Sequence, residues 1–148
     1  MKRFLVALFG IALSVAATVL ADERFTPALR SIKLAVDDMD RTVVFYTALG
    51  MKTGPRHGTV LEMIWDNGSK NSGLVLAPPD YPGRKGMVRG GTYLMFVTPD
   101  VGSALDRLRD AGFQSLPEPR AMGDMVTVVM LRDPEGNQIE LMGPPPGK

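Results

Sequence analysis

The sequence has no cysteine, one histidine and one tryptophan among its 148 residues. Without cysteine, the chain can form no disulfide, no thiolate zinc site and no cysteine nucleophile. A single histidine also excludes the histidine pairs that zinc and iron enzymes commonly use as ligands. His57 lies in the sequence GPRHGT, which is typical of a turn, so we interpret it as a surface or loop residue rather than a metal ligand.

The sequence also has no large excess of positive or negative charge. The chain has 17 basic and 16 acidic residues, so it has no net positive field to attract nucleic acid or an anionic membrane surface. The sequence also contains no phosphate-binding glycine loop, dinucleotide fingerprint or serine hydrolase elbow. We therefore expect neither a nucleic-acid partner nor nucleotide chemistry.

The first 21 residues form the one long apolar run and predict a secretory signal peptide. Lys2 and Arg3 precede a stretch without charge from Phe4 to Leu20, and Val19-Leu20-Ala21 resembles a cleavage site. An uncleaved anchor is the alternative, because 17 apolar residues are close to the shortest length that spans a bilayer. Cleavage after Ala21 leaves 127 residues with a net charge of −1. We expect this product to be free of the membrane, secreted, and most consistent with a bacterial periplasm.

Residues 22–148 are predicted to form a single domain of two similar modules. Module 1 spans about residues 30–79, a linker covers 80–90, and module 2 spans about 91–143. Each module has the predicted order strand, helix and three strands, from apolar alternation and helical spacing. The predicted elements of module 1 are strand 31–36, a helix from Asp38 to Gly50, and strands near 51–56, 60–66 and 73–77, with a turn at Asn67-Gly68. Those of module 2 are strand 92–97, a helix from Asp100 to Gly112, and strands near 113–116, 125–131 and 137–142.

Matching positions indicate that the modules arose by duplication. An offset of 62 aligns Asp38 with Asp100 and Gly50 with Gly112. An offset of 61 aligns the first strands, so that Ser31 meets Thr92, and the closing strands pair Leu74 with Glu140. The predicted fold class is therefore α+β, with two βαβββ modules forming a curved mixed sheet around a cup-shaped cavity.

Alternation along the strands predicts which side chains enter the cup. Those expected to face the helices are Ile32, Leu34, Val36, Tyr93, Met95, Val97, Ile139 and Leu141. Those expected to face the cup are Ser31, Lys33, Ala35, Thr92, Leu94, Phe96, Glu140 and Met142.

Two stretches resemble the vicinal oxygen chelate superfamily, which includes glyoxalase I, extradiol dioxygenases and bleomycin resistance proteins. They are SIKLAVDDMDRTVVFYTALGMK and LRDPEGNQIELM. The resemblance covers nearly all of residues 28–143 and implies paired βαβββ modules, often assembled as a homodimer. It also implies a divalent metal held by His or Glu on the first and last strands of each module.

In this sequence those four positions are aligned with Ser31, Leu74, Thr92 and Glu140, of which only Glu140 matches the family pattern. Two hydroxyls, a leucine and one carboxylate make a poor set of ligands for nickel, zinc or iron. We therefore expect no metal cofactor, although weak binding of a divalent ion through water remains the alternative.

These observations favour an exported protein that binds a small organic molecule and forms a homodimer. The candidate ligand-binding residues are Ser31, Lys33, Leu74, Thr92, Phe96 and Met142. Glu140 is the candidate catalytic residue if the protein is an enzyme, which would then be a lyase or isomerase of glyoxalase type with Glu140 as base. Glu140 could otherwise be a family relic paired with Lys33, or an anchor for a cationic ligand.

Overall fold

The computed structural model describes residues 29–65 and 73–145. The predicted signal peptide and the predicted turn at Asn67-Gly68 lie outside these residues. The elements of module 1 are β1 Ile32–Ala35, α1 Met39–Ala48, β2 Met51–His57, β3 Val60–Trp65 and β4 Gly73–Ala77. A short 3₁₀ helix, Pro82–Arg84, lies in the linker. The elements of module 2 are β5 Tyr93–Val97, α2 Val101–Asp110, β6 Arg120–Met122, β7 Val126–Arg132 and β8 Gln138–Gly143.

The predicted α+β class and the two βαβββ modules are confirmed. Each module forms a four-stranded sheet, with strand order β1-β4-β3-β2 in the first and β5-β8-β7-β6 in the second. The first and last strands of each module are parallel neighbours, and the other neighbours are antiparallel. The helix between the first two strands is what allows a parallel neighbour, since parallel strands need a long crossover connection.

Both helices begin and end where the sequence predicts. The Asp38 carboxylate accepts from the amide of Arg41 at 3.0 Å, and the Asp100 carboxylate accepts from the amide of Ser103 at 3.1 Å. Each bond satisfies one of the free amides of a first helical turn. Gly50 and Gly112 follow the helices with φ of +97° and +92°, a conformation that only glycine adopts without strain.

One hydrophobic core holds the two modules together. It contains Leu34, Leu76, Leu94, Leu141 and many other side chains from both sheets and from both helices. The helices also touch directly, because the Arg107 side chain donates to the carbonyl of Ala48 at 3.0 Å. Both sheets therefore turn the face that carries the helix toward the shared core, and their opposite faces, here called the open faces, point away from it. No helix in the described part of the chain has the length and apolar character to cross a membrane.

The prediction of a strand near residues 113–116 is wrong. Residues 113–119 are irregular, and the edge strand β6 follows later, at Arg120–Met122. Phe113 and Leu116 pack instead against the core, which explains their apolar character without a strand. Pro117 and Pro119 have no amide to donate to a neighbouring strand, so pairing with β7 begins only after them.

The segment Asp133–Asn137 ties module 2 to module 1 through buried hydrogen bonds. The Glu135 carboxylate accepts from the Asp38 amide at 2.8 Å and lies 2.8 Å from Nε of Arg89. The Tyr46 hydroxyl donates to Asp133 at 2.7 Å, and burial together with that carboxylate raises the pKa of Tyr46 above its ordinary range. This segment therefore fixes how the two modules are packed.

The basic side chains of the linker belong to the same network. Arg84 donates to the carbonyl of Val36 at 3.0 Å and to the Asp37 carboxylate, while Arg89 lies between Asp37 and Glu135. The linker is thus fastened across both modules at the end of β1.

Candidate functional site

The open face of module 2 forms a cleft of about 840 Å³. Its floor is the sheet β5-β8-β7, and its side is the segment from Pro117 to Met122 that leads into and includes β6. The lining side chains that the following argument uses are Tyr93, Glu118, Arg120, Met122, Met130 and Glu140. A volume of this size is typical of sites that bind small organic molecules.

Strand register places a carboxylate between two thioethers. Glu140 on β8 is in register with Met95 on β5 and with Met130 on β7, and residues in register point to the same face of a sheet. Met142, two positions further along β8, shares that face. The floor of the cleft is therefore mainly apolar and soft, with one ionisable group near its centre.

Glu140 is hydrogen-bonded to a residue that the sequence did not single out. The Tyr93 hydroxyl donates to the Glu140 carboxylate and lies 3.8 Å from the sulfur of Met130. The hydrogen bond to Glu140 raises the pKa of Tyr93 above its ordinary value of 10.0, because the neutral hydroxyl is the donor. Glu140 and Tyr93 thus form an acceptor and a donor that both face the cleft.

The predicted orientation of β5 is wrong. Leu94 is 4% exposed and Phe96 packs against the core, whereas Tyr93 is 51% and Met95 is 57% exposed. The sequence TYLMFV is apolar at both odd and even positions, so alternation alone cannot tell its two faces apart. Leu94 and Phe96 therefore belong to the helix side, and Tyr93, Met95 and Val97 to the open face.

The predicted alignment of the modules is off by one residue at two strands. The amide of Val36 donates to Ala77, and the amide of Thr98 makes the same bond to Met142. Counting back from these equivalent bonds, Tyr93 and not Thr92 corresponds to Ser31, and Val75 and not Leu74 corresponds to Glu140.

The structure places the candidate ligand-binding residues in several environments. Met142 lies with Glu140 on the open face of module 2, but Leu74 is 3% exposed and part of the core, as Phe96 is in part. Lys33 lies on the open face of module 1, where its ammonium donates to the Tyr81 hydroxyl at 3.0 Å. The predicted pair of Lys33 with Glu140 is therefore not formed within one chain.

Ser31 and Thr92 lie just before β1 and β5, outside the main cleft. Ser31 lines a smaller groove of about 170 Å³ that also touches Tyr93 and Trp65. Thr92 is held by its backbone, since its amide donates to the Asn137 side chain at 3.1 Å. Neither hydroxyl is directed at the Glu140 carboxylate by any described hydrogen bond.

The donors present do not fit the metal that the family resemblance implies. After realignment, the four family positions hold Ser31, Val75, Tyr93 and Glu140, and a valine cannot ligate an ion. Among residues 29–65 and 73–145 there is no group of three or more His, Cys, Asp or Glu side chains that could hold a metal ion. His57 ends β2, is exposed, and lies 3.4 Å from Glu62 in module 1.

Sequence reasoning missed Tyr93 and Arg120, and it left Met122 and Met130 out of the candidate set. A corrected alignment could have found Tyr93, because it occupies the family's ligand position on the first strand. Arg120 and Met122 depend on where β6 pairs with β7, which the sequence did not predict, and Met130 faces the cleft because β7 pairs it with Glu140.

The fold belongs to a recognisable class. It has paired βαβββ modules, a parallel first and last strand in each module, and an open sheet face with an acidic residue on the last strand. The model of the Glyoxalase/Bleomycin resistance protein/Dioxygenase superfamily matches residues 28–141. The chain belongs to this superfamily.

Solved structures with the same fold include several bacterial relatives. TnmS3, an antibiotic binding protein from Streptomyces sp. CB03234, is 22% identical, with a TM-score of 0.60 over 81% of this chain and 98% of that one. A superfamily member from Sphaerobacter thermophilus is 20% identical, with a TM-score of 0.61 over 80% and 98% of the two chains. Virulence protein STM3117 from Salmonella typhimurium is 20% identical, with a TM-score of 0.60 over 82% and 99%. No curated protein matches the chain in sequence.

Proposed function

We propose that this chain is an exported protein of the superfamily that binds a small organic molecule on the open face of module 2, without the family's metal. The observation that carries the proposal is the cleft of about 840 Å³, with an apolar floor and one hydrogen-bonded carboxylate. A few polar groups in a mainly apolar concavity are typical of ligand sites. The likeness to an antibiotic binding protein supports binding as the activity.

We also propose a homodimer in which a second copy covers the open faces. In each chain the two open faces lie on the sides of the sheets opposite the shared core, and we expect a second copy to complete the enclosure of the site. Met95, Val97, Met130 and Ile64 are exposed apolar residues on these faces, and such patches are a feature of interaction surfaces. If module 1 of each copy faces module 2 of the other, one twofold axis generates two equivalent closed sites.

Export is the part of the proposal that rests on sequence alone. It is supported by the charged start, apolar run and cleavage site in the first 21 residues. Expression of the full chain with its leader in a Gram-negative host, followed by osmotic shock and amino-terminal sequencing, tests it. We expect a periplasmic product that begins at Asp22, and retention in the membrane fraction with an intact leader would contradict export.

The dimer is tested by light scattering at micromolar concentration. We expect Met95→Arg to give monomers, because it places a charge at the proposed contact. Val44→Arg is the matched control, since Val44 is exposed on α1, and this variant should remain dimeric. A monomeric parent protein, or dissociation by the control alone, would contradict the proposed contact.

A lyase or isomerase of glyoxalase type is the second candidate, favoured by one observation. Glu140 and Tyr93 present a base and a hydrogen-bond donor to the same cleft, and this pair could move a proton on a small oxygenated substrate. A weakly held divalent metal belongs to this alternative.

One experiment separates the two candidates. The purified protein is analysed for bound metal and assayed for lactoylglutathione formation with and without added nickel or zinc. Binding as the activity predicts no stoichiometric metal, no turnover, and thermal stabilisation by small aromatic or oxygenated compounds. Stoichiometric metal with turnover that Glu140→Gln abolishes would instead establish the enzyme.

A further inference from the structure

The cleft holds one negative charge that no neighbouring cation neutralises. Within the described residues, no Lys, Arg or His nitrogen forms an ion pair with Glu140, whose hydrogen bond comes from Tyr93. Glu140 is already half-buried. Anything apolar that covers the cleft removes more water from this carboxylate, and a single neutral hydrogen bond does not compensate for that loss.

Two arginines share the open face, but both are engaged elsewhere or remote. Arg132 donates to the carbonyl of Gly136 at 2.9 Å. Arg120 lies on the edge strand β6, where it is in register with Val128 of β7, and Val128 is in register with Met142 of β8. Arg120 is therefore two strands away from Glu140 and displaced from it by two residues along the strand direction. Arg120 is exposed, and Glu118 lines the same part of the cleft. The cleft is thus lined by two carboxylates, Glu118 and Glu140, and one guanidinium, Arg120, and among the described residues no ion pair joins Arg120 to Glu140.

The surroundings of Glu140 favour a flat aromatic body. Met95 and Met130 flank it across the sheet, and Met122 faces the same cleft from β6. Thioether sulfurs make favourable contacts with aromatic rings, and methionine adapts its shape to different ligands. The Tyr93 ring beside the carboxylate also attracts a cation by its π face.

We infer that the cleft selects aromatic molecules that carry a protonated amine, with the ammonium group bound by Glu140 and Tyr93 and the ring lying on the methionines. This inference rests on the proposed function, because it names the ligand class of the same site. A charge-assisted hydrogen bond from the ammonium to the carboxylate is stronger than one from a neutral donor, so the amine should bind more tightly than an uncharged analogue of the same shape.

The test uses three probes with one ring system: naphthylmethylamine, naphthylmethanol and naphthoic acid. Calorimetric titration of the purified protein at neutral pH should give an affinity for the amine about tenfold above that for the alcohol, from the added charge in the hydrogen bond. The acid should bind most weakly, because its carboxylate meets Glu140.

The variants assign the preference to one residue. Glu140→Gln keeps the size and an acceptor for Tyr93, and it should lower the affinity for the amine to that for the alcohol, which should itself remain unchanged. Glu118→Gln is the matched control, since it removes a carboxylate from the same cleft and should keep the preference. Thermal melting of each variant verifies that it is folded.

The possible failures are distinct. If none of the three probes binds, the proposed binding of small molecules at this cleft is contradicted. If the alcohol binds as well as the amine, or the acid binds best, binding stands and the inferred cation selectivity is overturned. A preference for the amine that persists in Glu140→Gln but disappears in Glu118→Gln would overturn the assignment to Glu140.

Discussion

The helix-side faces of the two sheets carry matching residues, whereas their open faces do not. On the helix side, the equivalent pairs are Ile32 and Leu94, Leu34 and Phe96, Leu74 and Ile139, and Leu76 and Leu141. On the open side, they are Lys33 and Met95, Ala35 and Val97, Val75 and Glu140, and Ala77 and Met142. The core requires apolar volume from both modules alike. On the open side, Ala35, Val75 and Ala77 of module 1 are buried and small, whereas Met95 and Val97 of module 2 are exposed.

The open faces also differ in what lies on them. In module 1 the linker reaches the open face, because Tyr81 contacts Lys33 through a hydrogen bond and places its ring 5.1 Å from the ammonium nitrogen. In module 2 the open face holds exposed methionines around Glu140. A duplicated module can therefore keep its fold on one face while the other face takes up a separate role.

Comparing Leu94→Ala with Met95→Ala is the most direct test of which face of β5 is buried. Leu94 is 4% exposed within the core, so its truncation should lower the free energy of unfolding by about 4 kcal/mol. Met95 is exposed on the open face, and its truncation should cost less than about 1 kcal/mol. Urea denaturation at low protein concentration, where dimer contacts contribute least, measures both. A larger loss for Met95→Ala would reverse the assigned faces of β5.

Glu135→Ala tests whether the buried network holds the modules together. Removing this carboxylate leaves the Asp38 amide without its acceptor and the Arg89 guanidinium with Asp37 alone, and we expect a loss of about 3 kcal/mol in unfolding free energy. Asp37→Asn is the control, because Asp37 pairs with Arg84 and Arg89 at the surface, where ion pairs contribute little. Equal effects of the two variants would mean that burial of Glu135 does not matter.

Titration of Tyr93 tests the hydrogen bond between Tyr93 and Glu140 on the open face of module 2. The hydrogen bond to Glu140 raises the pKa of Tyr93, so the hydroxyl should stabilise the fold below its unfolded pKa and lose that effect as pH rises through the folded value. The difference in phenolate absorbance between the parent and Tyr93→Phe should therefore have a midpoint above 10.0. In Glu140→Gln that midpoint should move back down, and a midpoint that does not respond would contradict the hydrogen bond.

The smallest expected effect concerns Asp37 at the linker. The Arg84 side chain, with help from Arg89, holds the pKa of Asp37 below its ordinary value of 3.8. The contribution to stability is thus present above pH 3.8 and disappears as pH falls through the lower pKa of the folded state. Between pH 2 and pH 6, the melting temperature of Asp37→Asn should fall slightly less on acidification than that of the parent protein. An identical pH profile would indicate that these surface pairs contribute nothing.

Sequence reasoning predicted the elements well wherever a local interaction determines them. Asp38 and Asp100 form caps and Gly50 and Gly112 end the helices because those roles involve bonds and φ angles within a few residues. The prediction failed for β6, because Phe113 and Leu116 pack on the core and their apolar character was interpreted as a strand. It failed also for the pairing of Leu74 with Glu140, since a shift of one residue preserves the apolar pattern but exchanges the faces.

The sequence by itself determined the duplicated βαβββ order, the family and the poor set of metal ligands, because residue types and their spacing carry that information. Only the tertiary structure decided which face of β5 is buried, that Tyr93 rather than Thr92 meets Glu140, and that the two open faces point away from a common core. Those facts depend on strand register and on how the two modules pack. The contacts concerned join residues far apart in the chain, and a strand that is apolar on both sides leaves them undetermined until it is paired.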